Sequence, residues 1–217
     1  MRKGIFIIFC LLICWGTKVF ASSQSMSSYR LGDDTKIYLL TCTPGTEVWS
    51  KYGHTAIRIY DIENQLDIIF NYGIFSMMED GFYLKFIKGE TYYQLGIESY
   101  PQFQRFYSRI GRKTYWQELN LSQEQKQRLF DALLINYQPQ NRFYLYNFVF
   151  DNCATRPYYL IKNVLQDTII SSYEGAIHQP YRSTISHYTG PNSWVDFGIN
   201  LVFGKKADQG MNNEERL

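Results

Sequence analysis

Histidine is scarce in this chain, three in 217 residues, so any imidazole chemistry rests on His54, His178 or His187. Several signatures are missing altogether. No HExxH or CxxC is present to hold zinc, no GxSxG to raise a serine on a sharp turn, and no GxxxxGK[ST] loop to cradle a phosphate. No carboxylate pair is set apart by its spacing. The reading therefore invokes no metal and no cofactor. Neither sign of charge dominates, with 22 basic against 20 acidic side chains, which gives no footing for a nucleic-acid partner. The apolar run at residues 4–16 is 13 residues long, against the roughly 20 that a bilayer-spanning helix needs.

That run has the form of a secretory signal. Arg2 and Lys3 precede it, and Val19-Phe20-Ala21 follows as a small-residue cleavage site. Residues 1–21 are thus expected to leave, and the rest to be exported to the periplasm or envelope. Removing Arg2, Lys3 and Lys18 takes the formal net charge from +2 to −1. Cys10 and Cys14 depart with the signal, so the exported chain keeps Cys42 and Cys153. In an oxidising compartment such a pair often forms a disulfide. A bridged pair would make this a binding module; a free Cys153 leaves a nucleophile available.

What remains reads as one α+β domain. Residues 22–35 are expected to form a polar, flexible leader, 36–204 the domain and 205–217 a polar tail. Strands are predicted at 36–41, 54–60, 66–72 and 91–97. The second shows the period-two alternation of a half-buried strand and pairs with the third as a hairpin. Residues 112–119 read as extended, and 142–150 as an aromatic strand running straight into Asp151-Asn152-Cys153. Helices are expected at 80–88, after Pro101, from the Ser122 capping box to about Asn136, and at 154–166. The last of these carries Leu160, Ile161, Val164 and Leu165 as an apolar stripe.

The chemistry gathers around Cys153. A strand-to-helix junction places its thiol at unpaired N–H groups and the positive end of a helix dipole, which favours a thiolate. Asn152 can cap that helix. Asp151 is a brace for the loop or a solvated carboxylate. Arg156, one turn on, is an outward ion-pairing group or a ligand for phosphate or carboxylate. The alternative is a small buried cysteine behind a helix cap. His54 opens a strand on its less apolar face and is the preferred base, with His178 and His187 as substitutes. Asn71, across the hairpin, can orient the imidazole or simply be a turn residue. The stretch from Ile68 to Tyr93, rich in Phe, Tyr, Ile and Met, fits either an acyl groove or ordinary core.

Several segments, taken together, resemble a known family. They are Leu39-Leu40-Thr41-Cys42-Thr43-Pro44-Gly45, Trp49-Ser50-Lys51-Tyr52-Gly53-His54-Thr55-Ala56, Phe70-Asn71-Tyr72-Gly73 and Phe82-Tyr83-Leu84-Lys85-Phe86. Asn141-Arg142-Phe143, Asp151-Asn152-Cys153-Ala154-Thr155-Arg156, Gly190-Pro191-Asn192 and Asp196-Phe197-Gly198 complete the set. They resemble the Lnb N-terminal periplasmic domain family of bacterial envelope proteins, over about residues 37–204. The resemblance implies a permuted papain-like, NlpC-type fold, with an antiparallel sheet and the catalytic cysteine at a helix N-terminus. It implies Cys153 as nucleophile and His54 as base, and adds less for Asn71. The family's namesake N-acylates lipoproteins, so the implied partners are a phospholipid acyl donor and a lipoprotein acceptor at the membrane surface. A papain-like amidase acting on cell-wall peptides would use the same residues.

Overall fold

The predicted hairpin forms the middle of the sheet. A computed structural model describes residues 29–76, 78, 80–82, 85, 90–166 and 180–211, and Leu31–Leu217 form one compact unit. Six antiparallel strands run β1 (Lys36–Cys42), β2 (His54–Asp61), β3 (Leu66–Ile74), β4 (Tyr92–Ser99), β5 (Thr114–Glu118) and β6 (Phe143–Leu145). Their order across the sheet is β5-β1-β2-β3-β4-β6. Five helices accompany them among the described residues: α1 (Tyr100–Arg109), α2 (Gln123–Tyr137), α3 (Thr155–Leu165), α4 (Tyr181–Thr189) and α5 (Trp194–Phe203).

Side chains alternate across a strand, so each face has its own helices. Tyr38, Leu40, Cys42, Ala56 and Ile69 share one face and pack under Phe103 and Tyr107 of α1. On the other face Phe70, opposite Ile57, meets Phe130 of α2 edge-on at 6.2 Å. Ile37, Ile57, Ile59, Leu129 and Leu133 are sealed from solvent. Arg58 lies on the α1 side, yet it is satisfied: its guanidinium bonds Asp67 at 2.7 and 2.9 Å and stacks 3.5 Å from the Tyr100 ring.

Helix starts follow their caps. The Ser122 hydroxyl accepts the Gln125 N–H at 3.2 Å, and the Gln125 side chain accepts the Ser122 N–H at 2.8 Å, the reciprocal pairing expected of a capping box. On α3, Pro157, Ile161 and Val164 turn inward.

Two expectations need correction, the strand at 142–150 and the leader, and the tail and Asn71 are defined more closely. The aromatic strand at 142–150 stops at Leu145. Asn147 ends it, because its side-chain oxygen accepts the N–H of Val149 and of Phe150 and so bends the chain into a turn. Reciprocal backbone bonds between Asn147 and Asp151 close that turn, so Cys153 follows a loop and not a strand. The leader is held from Leu31 onward. Leu31 is buried, the Gly32 N–H donates to Asp61, and Gln127 accepts the Leu31 N–H. Similarly, the tail is structured to residue 211: a 3-10 turn at Gly204–Asp208 is tied back by Arg182 bonding Asp208 at 2.6 Å. Lastly, Asn71 is a strand residue and not a turn asparagine. The signal at 1–21, Cys10, Cys14, His178 and most of the helix expected at 80–88 lie outside the described residues.

Candidate functional site

Two of the site's side chains come from neighbouring strands. Gly53 has φ +79°, and a Cβ there would fall 2.8 Å from the Cys42 carbonyl oxygen. Only glycine lets the chain turn so tightly into β2 and deliver His54 as its first residue. Asn71 sits near the end of β3, and its side-chain oxygen lies 2.7 Å from His54 Nε2.

Glu98 decides the orientation of that amide. A carboxylate only accepts hydrogen bonds, so the Asn71 amino group must face Glu98 Oε1, which it does at 3.0 Å. Asn71 Oδ1 is thereby turned toward His54, and Nε2 must carry a proton to donate to it. Nδ1 is left as the ring nitrogen free to exchange a proton with a neighbour. Tyr107 of α1 stacks against the imidazole, with ring centroids 6.1 Å apart and planes 16° from parallel.

That neighbour is Cys153. It precedes α3 by two residues, and both it and Cys42 are free thiols, so the bridged arrangement is not formed. Gly73, with φ +99° at the β3 bulge, shows how close the pair lies. A Cβ on Gly73 would sit 3.4 Å from Cys153 Cβ and 3.5 Å from His54 Cε1. Two atoms touching one point cannot be far apart. Sulfur and imidazole interact both through charge and as side-chain hydrogen-bond partners.

The electrostatics favour a thiolate–imidazolium pair. Burial pushes the Cys153 thiol up, but the His54 charge, its hydrogen bond, and the backbone N–H groups of Thr55 and Cys153 outweigh it and leave the thiol below its ordinary value. Burial likewise opposes a charged His54, as does Arg112; the Cys153 charge and the bonds to Cys153 and Asn71 prevail and raise it. Cys42 behaves differently. Burial beside Thr114 and Tyr107 pushes its thiol up to about 11, so it stays protonated near neutral pH.

The loop carrying Cys153 is braced as one piece. Asn152 Oδ1 accepts the N–H of Ala154 at 2.8 Å and of Thr155 at 3.0 Å, capping α3. Its amino group holds the Phe148 carbonyl at 2.8 Å, and its own N–H donates to Thr155 Oγ1 at 2.8 Å. Asp151 and Arg156 form a two-point ion pair, with Nη2 to Oδ2 at 2.7 Å. The Arg156 guanidinium lies 3.7 Å from the Tyr144 ring. Arg156 is therefore an ion-pairing group and Asp151 a brace.

Aromatic rings wall the sulfur. Tyr146 stacks on Tyr93 at 4.0 Å, and Tyr93 on Phe75 at 4.7 Å. The phenols of Tyr93, Tyr144 and Tyr146 are pushed up by burial first and by the Cys153 charge next. Elsewhere in the stretch from Ile68 to Tyr93, Ile69, Phe70 and Tyr72 are plain core. His187 lies on α4, where its ring meets Tyr188.

The structure thus brings together His54, Asn71 and Cys153, with Asn152, Asp151 and Arg156 supporting the cysteine loop. Sequence reasoning missed Glu98, Gly73, Tyr107 and Thr155. Gly73 left a signal, a glycine directly after Asn71-Tyr72. Glu98 left none, since its meeting with Asn71 depends on the β3–β4 register.

Fold and site define an α+β domain with a thiol and an imidazole set against each other by a fixed amide. The chain belongs to the Lnb N-terminal periplasmic domain family, which it matches over residues 27–189. That membership makes it an exported envelope protein. No curated protein and no solved structure matches it. Among the described residues, no helix is long and apolar enough to cross a membrane.

Proposed function

We propose that this protein is a cysteine-dependent acyltransferase of permuted papain-like type, which N-acylates lipoproteins through a thioester on Cys153. The observation that carries this reading is the chain Cys153–His54–Asn71–Glu98, which supplies nucleophile, base and orienting group in one line. In the first half-reaction the Cys153 thiolate attacks the ester carbonyl of a phospholipid. The carbon–oxygen bond breaks, and His54 gives its proton to the departing alkoxide, leaving an acyl thioester. In the second, a lipoprotein amine attacks the thioester, His54 takes the amine proton, and the carbon–sulfur bond breaks to restore the thiolate.

The N–H groups of Thr55 and Cys153 that bond the sulfur are donors available to the oxygen that gains charge. Transfer in place of hydrolysis needs a dry thioester, and the buried rings of Tyr93, Tyr144 and Tyr146 near Cys153 support that requirement.

The test is intact-mass analysis after incubation with labelled phospholipid or with muropeptides. The expected result is an acyl adduct on Cys153, lost in Cys153→Ser and in His54→Ala. A peptidyl adduct instead would make the protein an amidase acting on cell-wall peptides. Unchanged turnover in either variant would remove the mechanism.

A further inference from the structure

Helix α5 departs from the usual surface helix, which turns its apolar side to the core and a polar side to solvent. None of its ten residues is buried. Trp194 is 88% exposed, Phe197 62%, Leu201 72% and Val202 43%, and their spacing puts all four on one stripe. The inward side carries Asp196 and Asn200 among half-buried Val195, Ile199 and Phe203. The Thr189 hydroxyl donates to Asp196 at 2.8 Å, and Arg182 bonds Asn200 Oδ1 at 2.8 Å and the Gly204 carbonyl at 2.7 Å. The helix is thus fastened by hydrogen bonds with its apolar stripe facing out.

We propose that this stripe seats the domain on the surface of an anionic lipid bilayer. Charge favours that occupant. The stripe runs on into exposed Lys205, followed in sequence by Lys206; of the nearby acids, Asp196 is turned inward to Thr189 and Asp208 is paired with Arg182, with Lys205 beside it. Aromatic and aliphatic side chains backed by lysine are what an in-plane interfacial helix requires. Ten residues span only about 15 Å at 1.5 Å per residue, so α5 lies in the surface and does not cross it.

Placement joins this surface to the site. Phe203 packs on Phe148 at 5.1 Å, Phe148 on Tyr52 at 4.4 Å, and the Phe148 carbonyl holds Asn152. The end of α5 therefore abuts the loop before Cys153 and, through Phe148, reaches the turn before His54. Seating the helix brings the thiol to the lipid, and in this respect the inference deepens the acyltransferase reading. Helix α5 lies beyond the residues 27–189 that match the family model.

Vesicle co-sedimentation of the protein purified from an expressing bacterium tests it, using phosphatidylglycerol–phosphatidylethanolamine and pure phosphatidylcholine vesicles at low and high salt. Wild type should prefer the anionic vesicles and weaken with salt. Phe197→Ser combined with Leu201→Ser should bind more than about tenfold more weakly, and Lys205→Glu should lose the anionic preference. Both variants should keep wild-type alkylation of Cys153, which reports an intact fold and site. Cys153→Ser should bind vesicles as wild type does, so a failed acyl assay leaves this result standing. No vesicle binding by wild type, equal binding by the double variant, or a wild-type dimer that the double variant dissociates would each overturn the proposal.

Discussion

Replacing Asn71 with alanine removes the group that orients His54, and the structure sets the size of the effect. The lost contact is 2.7 Å long and is made to an imidazole whose proton affinity is raised. Hydrogen bonds to a charged group contribute about 1.5–3 kcal/mol. At 1.36 kcal/mol per factor of ten, the thiolate population and alkylation rate of Cys153 should fall roughly 10- to 100-fold near neutral pH. The ion pair exists between the lowered thiol value and the raised imidazole value, so losing Asn71 narrows that window from both ends.

The assay is iodoacetamide labelling across pH, read by intact mass, with Cys42 as the slow internal reference. Glu98 grades the prediction. Glu98→Gln still presents an oxygen to Asn71 and should stay near wild type, whereas Glu98→Leu frees the amide to rotate and should cost about 3- to 10-fold. A folded Asn71→Ala protein that alkylates at the wild-type rate and keeps the wild-type pH profile would refute the orienting role. So would equal losses in all three variants accompanied by equal falls in melting temperature, which would indicate a structural role alone.

Two further outcomes follow from groups around this site and beneath it. Gly73→Ala must place a Cβ at φ +99° between Cys153 and His54; it should cost about 1–2 kcal/mol in a denaturant melt and slow Cys153 labelling, and normal values of both would contradict the packing described. Burial raises the Asp61 carboxyl, but the Asn64 side chain and the N–H groups of Gly32 and Asn64 outweigh it and lower its value. Its stabilisation is therefore present above the ordinary carboxylate range and lost as pH falls through the lowered value. Asp61→Ala should destabilise by roughly 2–4 kcal/mol at neutral pH and flatten the acid limb of stability against pH, and an unchanged acid limb would exclude Asp61 as its source.

Periodic segments declared themselves in the sequence, and so did residues tied to local chemistry. The alternation at 54–60 and the capping box at Ser122 gave elements within a residue or two of those observed. Cys153 and Asn152 were legible because a helix start needs a cap, whatever else the fold does. The strand expected at 142–150 failed because aromatic content signals burial but does not show that Asn147 bonds the backbone ahead of it. Glu98 was invisible for a different reason. It is one acidic residue among twenty, and only the pairing of Ile69 with Glu98 brings it beside Asn71. The outward stripe of α5 was equally hidden, since an apolar run at 194–203 reads as core until its neighbours are known.

The cysteine owes its reactivity to a histidine 99 positions earlier, while that histidine and its asparagine share one short hairpin. A chain still threading through a translocon has formed no such long-range closure, and its thiol is then mostly protonated near neutral pH, like that of free cysteine. Nucleophilicity is thus withheld in transit and conferred only when folding is finished.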